Sequence, residues 1–375
     1  MIVADASTAA QQPAEIASLN GVRAVAVTLV FLAHGGLDRL LPGGLGVTIF
    51  FVLSGYLITT LLRREYLATA TIALRAFYLR RLLRLMPPLL VVVALAALLS
   101  SLDLVAGEFS LRGLLSVLFY FGNYQIIASD FQGIPSGIGV VWSLAVEEHY
   151  YLLYPPLALL LLGRRRWLPV AALAALCALI LGWRCWLLLH GAPDAWLMMA
   201  TDTRADAILF GCLMAFASDS LLGTTQLRSV HTRRDLALFA ASALLLLATL
   251  VWRNDFFRLS LRYTLQSLAI APLIWLAVAR ADTPAFRWLG WRPLVWLGRV
   301  SYTVYLSHQL ILGFVQRQWP LHDGLRTLTI TAVLTLLLAA AMQRWIEQPS
   351  ARWRRRLHQP SGQPARPLPA AELAR

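Results

Sequence analysis

The sequence contains no lysine, and its positive charge comes from arginine alone. Lysine and arginine together number 33, acidic residues number only 19, and 14% of the 375 residues are charged while 58% are hydrophobic. A soluble domain carries about 25% charged residues, so this composition is not typical of a soluble protein. The net charge of +14 is by itself no sign of nucleic-acid binding, because the arginines lie beside apolar runs, as anionic lipid and membrane insertion both favour.

Cysteine is scarce, and the N-terminal residues do not resemble a cleaved leader. Cys177, Cys185 and Cys212 lie in apolar segments without metal-type spacing. Their odd number argues against a disulfide framework, so we expect them to pack in the core. Residues 1–20 have no basic stretch before an apolar core, unlike a signal peptide. We therefore expect the first spanning helix to act as the insertion signal.

Apolar stretches of about 20 residues repeat along the chain, separated by short basic loops, as in polytopic α-helical membrane proteins. The residues do not alternate as in a membrane β-barrel. The sequence therefore predicts an all-α, polytopic membrane protein with about ten transmembrane helices. The predicted spans are 22–38, 45–62, 85–101, 141–162, 167–189, 200–218, 236–252, 260–279, 295–315 and 324–345.

The arginine-rich loops orient these spans. The basic stretch from Arg63 to Arg84 is expected in the cytoplasm, which also places both termini there. The segment 111–127 is apolar enough to cross, but a crossing would put Arg164–Arg166 outside. We therefore predict that 111–127 is re-entrant or interfacial, a geometry tolerated where the backbone is buried in protein or lines a cavity.

Three regions follow from this pattern. Residues 1–20 are predicted to form a cytoplasmic segment, and residues 21–349 a transmembrane domain. Residues 350–375 are rich in proline, arginine and alanine without apolar periodicity, so a disordered basic tail is expected. We expect no soluble catalytic domain beside the membrane part. The predicted location is a bacterial cytoplasmic membrane.

Ionisable residues inside the predicted spans indicate function. Arg23 and His34 lie in one apolar run on roughly one helix face, about 16 Å apart along the axis. Such residues cost several kcal/mol in hydrocarbon and usually face a bundle interior or polar cavity. On the predicted topology, residues of four segments reach a similar depth. These residues are His34, Trp142, Glu147, Glu148, His149, Asp202, Arg204, Asp206 and His308.

Structural interpretations of the same residues stay open. Glu148 and His149 are also consistent with an interfacial position beside tryptophan and tyrosine. The triplet Asp202–Arg204–Asp206 favours a salt-bridge lock between helices over catalysis. His308 fits either a packing role or a hydrogen bond to an acceptor. A zinc site from His34, His149 and His308 is not expected, because no pair has the i, i+4 helical spacing.

Basic and glycine-rich motifs frame the candidate site. Arg80, Arg81 and Arg84 are spaced to form a cationic cluster on a helical turn, and guanidinium forks suit phosphate. Ordinary topogenic charge would give the same residues. The stretch GGLGVTIFFVLSGYLIT, which includes Ser54, contains glycines that permit close approach of a substrate or helix.

Seven motifs resemble those of the membrane-bound acyltransferase 3 family in order. The resemblance covers about residues 18–350, and its motifs are Arg23 with His34, FFVLSGYLI, RRLLRLMPP, WSLAVEEHYYLLYP, TDTRADAILFG, SYTVYLSH and IEQP. That family transfers acyl groups, commonly acetyl from acetyl-CoA, to hydroxyls of carbohydrates. Some members carry a fused extracytoplasmic hydrolase-like domain.

The resemblance implies roles residue by residue. His34 and Arg23 match the family's essential histidine and arginine, Arg81 and Arg84 its cytoplasmic Arg-x-x-Arg, and Glu147 the acid of its WSLxxE motif. His149 stands where glutamine is more usual, and Tyr150 where phenylalanine is usual. Neither departure is expected to abolish the chemistry.

The resulting hypothesis is an acyl-CoA:carbohydrate O-acyltransferase with no metal and no permanently bound cofactor. His34 would be the general base, Glu147 its orienting partner, and Arg23 a group that stabilises the thioester or binds CoA. Arg80, Arg81 and Arg84 would hold CoA phosphates. The expected acceptor or structural polar residues are Ser54, Trp142, Asp202, Arg204, Asp206, Tyr302 and His308.

A transporter of an acyl or glycan compound is the alternative. Intramembrane charges, a re-entrant segment and basic loops suit it equally. No inverted repeat and no matched pair of broken helices supports it, however. The acceptor, the acyl length and the existence of an acyl-enzyme are left open by the sequence.

Overall fold

The computed structural model describes residues 16–165, 167–217, 232–319 and 324–356, and within them the regular structure is helical without strands. The predicted all-α fold is confirmed for these residues. The helices are α1 (Ala17–Leu32), α2 (Gly43–Thr69), α3 (Leu74–Ser101), α4 (Leu111–Leu118), α5 (Gly122–Ser129), α6 (Val141–Leu161), α7 (Trp167–Leu189), α8 (Asp194–Met199), α9 (Thr201–Ala217), α10 (Thr232–Val251), α11 (Asp255–Leu259), α12 (Leu261–Ala279), α13 (Pro284–Arg287), α14 (Arg292–Gln318), α15 (Gly324–Met342) and α16 (Gln348–Arg356).

Short irregular turns extend some of these helices. A π-helical turn at Ala33–Leu37 continues α1, and a second at Gln343–Glu347 joins α15 to α16. A 3₁₀ turn at Trp288–Gly290 follows α13. Turns of π type occur frequently at functional sites, and the first of them contains His34.

Seven helical stretches among the described residues are long and apolar enough to cross a membrane. They contain α1, α2, α3, α7, α10, α12 and α15. The chain is therefore a multi-pass membrane protein, while the predicted total of about ten spans is not established. The three other predicted spans correspond to α6, α9 and α14. Helix α9 is only 17 residues long, α6 carries Glu147 and Glu148, and α14 carries three arginines.

The segment predicted to be re-entrant or interfacial contains no continuous helix. It forms α4 and α5, of eight residues each, which is about 12 Å of helix and less than half a hydrocarbon core. The two helices are separated at Tyr120, whose φ is 59°. The position of the segment 111–127 relative to the bilayer stays a prediction.

The prediction of a disordered tail from residue 350 is wrong at its start. Helix α16 runs to Arg356 and packs against α3. Arginine and alanine are good helix formers, and α16 continues from α15 through a π turn, so the missing apolar periodicity did not prevent a helix. Residues 357–375, and residues 1–15 of the predicted N-terminal segment, lie outside the described residues.

Helices α2 and α9 pack backbone to backbone at the centre of the bundle. A Cβ atom on Gly55 would lie 1.9 Å from the carbonyl oxygen of Ile208, and one on Gly211 would lie 2.0 Å from that of Val52. Only glycine fits such a contact, so the close approach expected near Ser54 is between two helices. In the apolar window of α2 78% of residues are buried, against 11% for α10, which places α2 inside and α10 outside.

Candidate functional site

A cavity of about 390 Å³ lies between α1, α2, α3, α6 and α14. Apolar and polar side chains of these helices both contribute to its walls. We call it the arginine cavity. Its polar lining residues are Asn20, Arg23, Ser54, Thr60, Arg64, Arg81, Arg84, Ser143, Glu147, Tyr151, Ser301, Tyr302 and Tyr305.

The lining carries an excess of positive charge. Four arginines (Arg23, Arg64, Arg81 and Arg84) face one carboxylate, Glu147. Within the described part of the chain none of these arginines forms an ion pair. The guanidinium of Arg81 instead lies 5.3 Å from the ring of Tyr151. Cations held in a partly apolar cavity attract anions more strongly than cations in water do.

The three arginines of the predicted cluster Arg80–Arg81–Arg84 do not all face the cavity. Arg81 and Arg84 line the cavity, while Arg80 pairs with Glu65 at 3.5 Å and does not line it. Arg80 lies about 100° from Arg81 around the helix, and its guanidinium reaches Glu65 of α2 instead of the cavity. The fourth cavity arginine is Arg64, which sequence reasoning used only to orient the chain.

Glu147 is held by two hydroxyl groups. The hydroxyl of Ser54 donates to Oε1 at 3.0 Å, and that of Tyr151 donates to Oε2 at 3.2 Å. Tyr151 follows Glu147 by one helical turn, a spacing that could have predicted their contact. The expected pairing of Glu147 with His34 is not present, because His34 makes its hydrogen bond to another residue.

That partner is His308, on α14. The Nδ1 atom of His34 lies 2.8 Å from Nε2 of His308, and the rings stack with centroids 5.1 Å apart. His308 is 1% exposed, whereas His34 is exposed at the end of α1. We call these two residues the histidine pair. Neither lines the arginine cavity.

Tyr305 lies between the cavity and the histidine pair. Its side chain lines the cavity and hydrogen-bonds Ser143 at 2.6 Å, and its ring lies 5.9 Å from that of His308. The ring of Phe50 meets Tyr305 edge-on at 5.9 Å. The predicted catalytic set is therefore divided: Arg23 and Glu147 line the cavity, and His34 lies beyond Tyr305.

The triplet Asp202–Arg204–Asp206 does not form an ion pair within itself. Asp206 pairs at 3.1 Å with Arg184 of α7, and both side chains are 0% exposed. Sequence reasoning missed Arg184, which lies in a strongly apolar run. A salt bridge does join two helices here, as expected, but its cation comes from α7.

The other two members of the triplet contact aromatic rings. The guanidinium of Arg204 lies 3.6 Å from the centroid of Tyr263. Asp202 accepts hydrogen bonds from the indoles of Trp183 at 2.7 Å and Trp196 at 3.2 Å. Neither residue lines the cavity, which agrees with a structural role.

Of two further predicted residues, Tyr302 lines the cavity and Trp142 packs in the core. Tyr302 lines the cavity and donates to the carbonyl of Leu85 at 2.9 Å. Trp142 packs edge-on against Phe51, with ring centroids 6.2 Å apart, and does not line the cavity. Trp142 therefore supports the wall from behind.

The remaining motif residues lie elsewhere. His149 hydrogen-bonds the hydroxyl of Thr201 at 2.7 Å and does not contact the histidine pair. Glu347, in the closing IEQP motif, accepts a hydrogen bond from Thr303 at 2.5 Å. This bond ties the second π turn to α14, one residue from Tyr302.

Known proteins resemble this chain over most of its length. The profile of the acyltransferase domain family matches residues 16–344. O-acetyltransferase OatA of Staphylococcus aureus (strain NCTC 8325 / PS 47) is 30% identical over 352 residues, covering 90% of this chain and 57% of that protein. Peptidoglycan O-acetyltransferase OatA of Listeria monocytogenes is 28% identical over 351 residues, covering 89% and 55%. The chain thus spans a little over half the length of these relatives. No solved structure matches.

Proposed function

Since the chain belongs to the acyltransferase domain family, we propose that it transfers an acyl group, specifically acetyl, from acyl-CoA to a hydroxyl group of a carbohydrate. The acceptor, a glycan or glycoconjugate, would lie on the side of the membrane opposite to the donor. Two relatives are named O-acetyltransferases, and one of these names specifies peptidoglycan. These names support an acetyl donor and a carbohydrate acceptor.

The observation that carries the proposal is the arginine cavity. Its four arginines have no carboxylate partner in an ion pair among the described residues. Coenzyme A carries several phosphate charges on one end and an uncharged thioester arm on the other. Guanidinium groups bind phosphate by charge-assisted hydrogen bonds, and the apolar side chains of the lining suit the uncharged arm. Arg81 and Arg84 belong to the basic stretch predicted to be cytoplasmic, so CoA would enter from that side.

His34 is the proposed general base. A sugar hydroxyl is a poor nucleophile until its proton has an acceptor, and neutral imidazole suits that task. The hydroxyl oxygen would bond to the thioester carbon while the carbon–sulfur bond breaks. The hydroxyl proton would pass to His34 and then to the departing CoA thiolate. Since His34 is exposed beyond Tyr305, the thioester arm would have to pass Tyr305 to reach it.

Covalent transfer distinguishes this proposal from the transporter alternative. Purified protein in lipid vesicles would be incubated with acetyl-CoA carrying a labelled acetyl group and with glycan oligomers, including peptidoglycan fragments. We expect a labelled ester on a glycan with wild type and with Arg80→Ala, and none with His34→Ala. Labelled acetyl-CoA that is bound or moved without any ester product would contradict the proposal.

A further inference from the structure

We propose that His308 is a positioning residue that holds His34 in the tautomer protonated at Nδ1, so that Nε2 of His34 is the basic atom. This inference rests on the proposed function only in naming His34 as the base. The tautomer itself follows from the hydrogen bonds of the two rings. The neutral imidazole of His308 thereby takes the role of orienting His34, which the sequence analysis assigned to the carboxylate of Glu147.

The chain of hydrogen bonds begins at α14. The Nδ1 atom of His308 lies 2.8 Å from the carbonyl oxygen of Tyr305 and 3.2 Å from that of Val304. Carbonyl oxygens only accept hydrogen bonds, so the proton must be on Nδ1 of His308. In neutral imidazole the other nitrogen then carries a lone pair. Nε2 of His308 is therefore an acceptor.

The tautomer of His308 determines that of His34. Nδ1 of His34 lies 2.8 Å from this acceptor nitrogen, and two lone pairs at that distance would repel. Nδ1 of His34 therefore carries the proton and donates to His308. Its Nε2 is left with the lone pair, which has no hydrogen-bond partner within the described residues.

Local structure holds both rings in place. His308 is 1% exposed, and its Nδ1 donates a hydrogen bond to backbone carbonyls of its own helix, α14. His34 lies in the π turn that ends α1, where Gly36 adopts a φ of 102°. The side chain of Leu328 packs against Gly35, so that a Cβ there would lie 2.3 Å from it. The tilted ring of Phe31 lies 6.1 Å from His308.

No proton needs to move to His308 during the reaction. The acceptor hydroxyl would give its proton to Nε2 of His34, while the proton on Nδ1 stays in its hydrogen bond to His308. The second nitrogen of a catalytic histidine is commonly held in this way by another group. Among the described residues no carboxylate contacts either ring, so the usual anionic orienter is replaced by an imidazole.

Kinetics separate positioning from donor binding. His308→Phe keeps a ring but accepts no hydrogen bond, and we expect kcat to fall by about 100-fold, at the low end of what a general base contributes. His308→Gln places an amide oxygen where Nε2 was, and should recover part of kcat. The KM for acyl-CoA should stay within about twofold in both, because His308 does not line the cavity. His190→Gln, on an exposed residue that follows α7, is the control.

The decisive experiment needs no turnover. Histidine-labelled protein in lipid bilayers would be measured by solid-state ¹⁵N NMR above the titration range of imidazole, with His34 assigned by the signal lost in His34→Gln. We expect His34 to be protonated at Nδ1 in wild type and in His308→Gln. In His308→Phe we expect His34 to be protonated at Nε2, as in free neutral histidine. Wild-type His34 protonated at Nε2, or a tautomer unchanged in His308→Phe, would overturn the inference. Because the wild-type spectrum alone can overturn it, a poorly folding variant does not block the test, and absent acyl transfer would count against the proposed function only.

Discussion

Arg84 offers the cleanest test of donor binding. Its guanidinium lines the arginine cavity and forms no ion pair among the described residues, so Arg84→Ala removes a free cation and little packing. A charge-assisted hydrogen bond contributes about 1.5–3 kcal/mol, which corresponds to about 10- to 150-fold in affinity. We expect the Kd for acetyl-CoA to rise by that factor, measured by equilibrium binding of labelled acetyl-CoA to purified protein. Arg84→Lys keeps the positive charge but loses the planar guanidinium group that can donate two parallel hydrogen bonds, and should give an intermediate Kd.

Arg80→Ala is the matched control. Arg80 lies on the same helix one turn away, but it pairs with Glu65 and does not line the cavity. Its loss should change the Kd by less than about twofold, because Arg80 does not line the cavity and Arg80→Ala removes only a partly exposed ion pair. Acetyl-CoA lacking the 3′-phosphate should bind the wild type more weakly, and the difference should shrink in Arg84→Ala if that phosphate is its partner. Equal effects of Arg80→Ala and Arg84→Ala would refute the reasoning, because the cavity would then play no special part.

Three further predictions concern the fold. Gly55→Ala should lower the free energy of unfolding by about 1–3 kcal/mol, since its Cβ would overlap a carbonyl of α9, whereas Gly44→Ala, which meets nothing within 4 Å, should be near neutral; thermal unfolding in detergent measures both. Arg184→Leu should destabilise by about 3–5 kcal/mol, because it leaves the buried Asp206 carboxylate unpaired, while acetyl-CoA binding by the folded fraction stays unchanged. In a background without native cysteines, an impermeant thiol reagent on intact cells should label Ala128→Cys and not Arg165→Cys. Labelling of the second position would reverse the predicted topology after α5.

The sequence predicted what depends on local pattern. Apolar runs predicted the long helices, and the charge of the loops around 111–127 indicated that this segment, which forms α4 and α5, is not an ordinary span. The i, i+3 spacing of Arg81 and Arg84 predicted their common face. Arg80 shared the spacing, but its partner Glu65 on α2 could not be inferred from α3 alone.

Contacts between distant segments were not predictable in this way. His34 and His308 are 274 positions apart, so nothing local indicated that an imidazole, and not Glu147, would hold the proposed base. Arg184 was not singled out from the sequence, because its partner Asp206 lies on another helix. The two failures have a common cause: hydrogen-bond partners inside a bundle are determined by helix packing, which a single sequence does not reveal.

Sidedness tests the central claim most directly. Inside-out vesicles containing the protein would enclose a glycan acceptor, and acetyl-CoA with a labelled acetyl group would be added outside, on the face that corresponds to the cytoplasm. The proposed entry of the donor from the cytoplasmic side, together with the proposed base His34 at the other end of α1, predicts labelled ester on the enclosed glycan. His34→Ala vesicles should give none. Ester formed only on glycan added outside, on the same side as acetyl-CoA, would contradict the account.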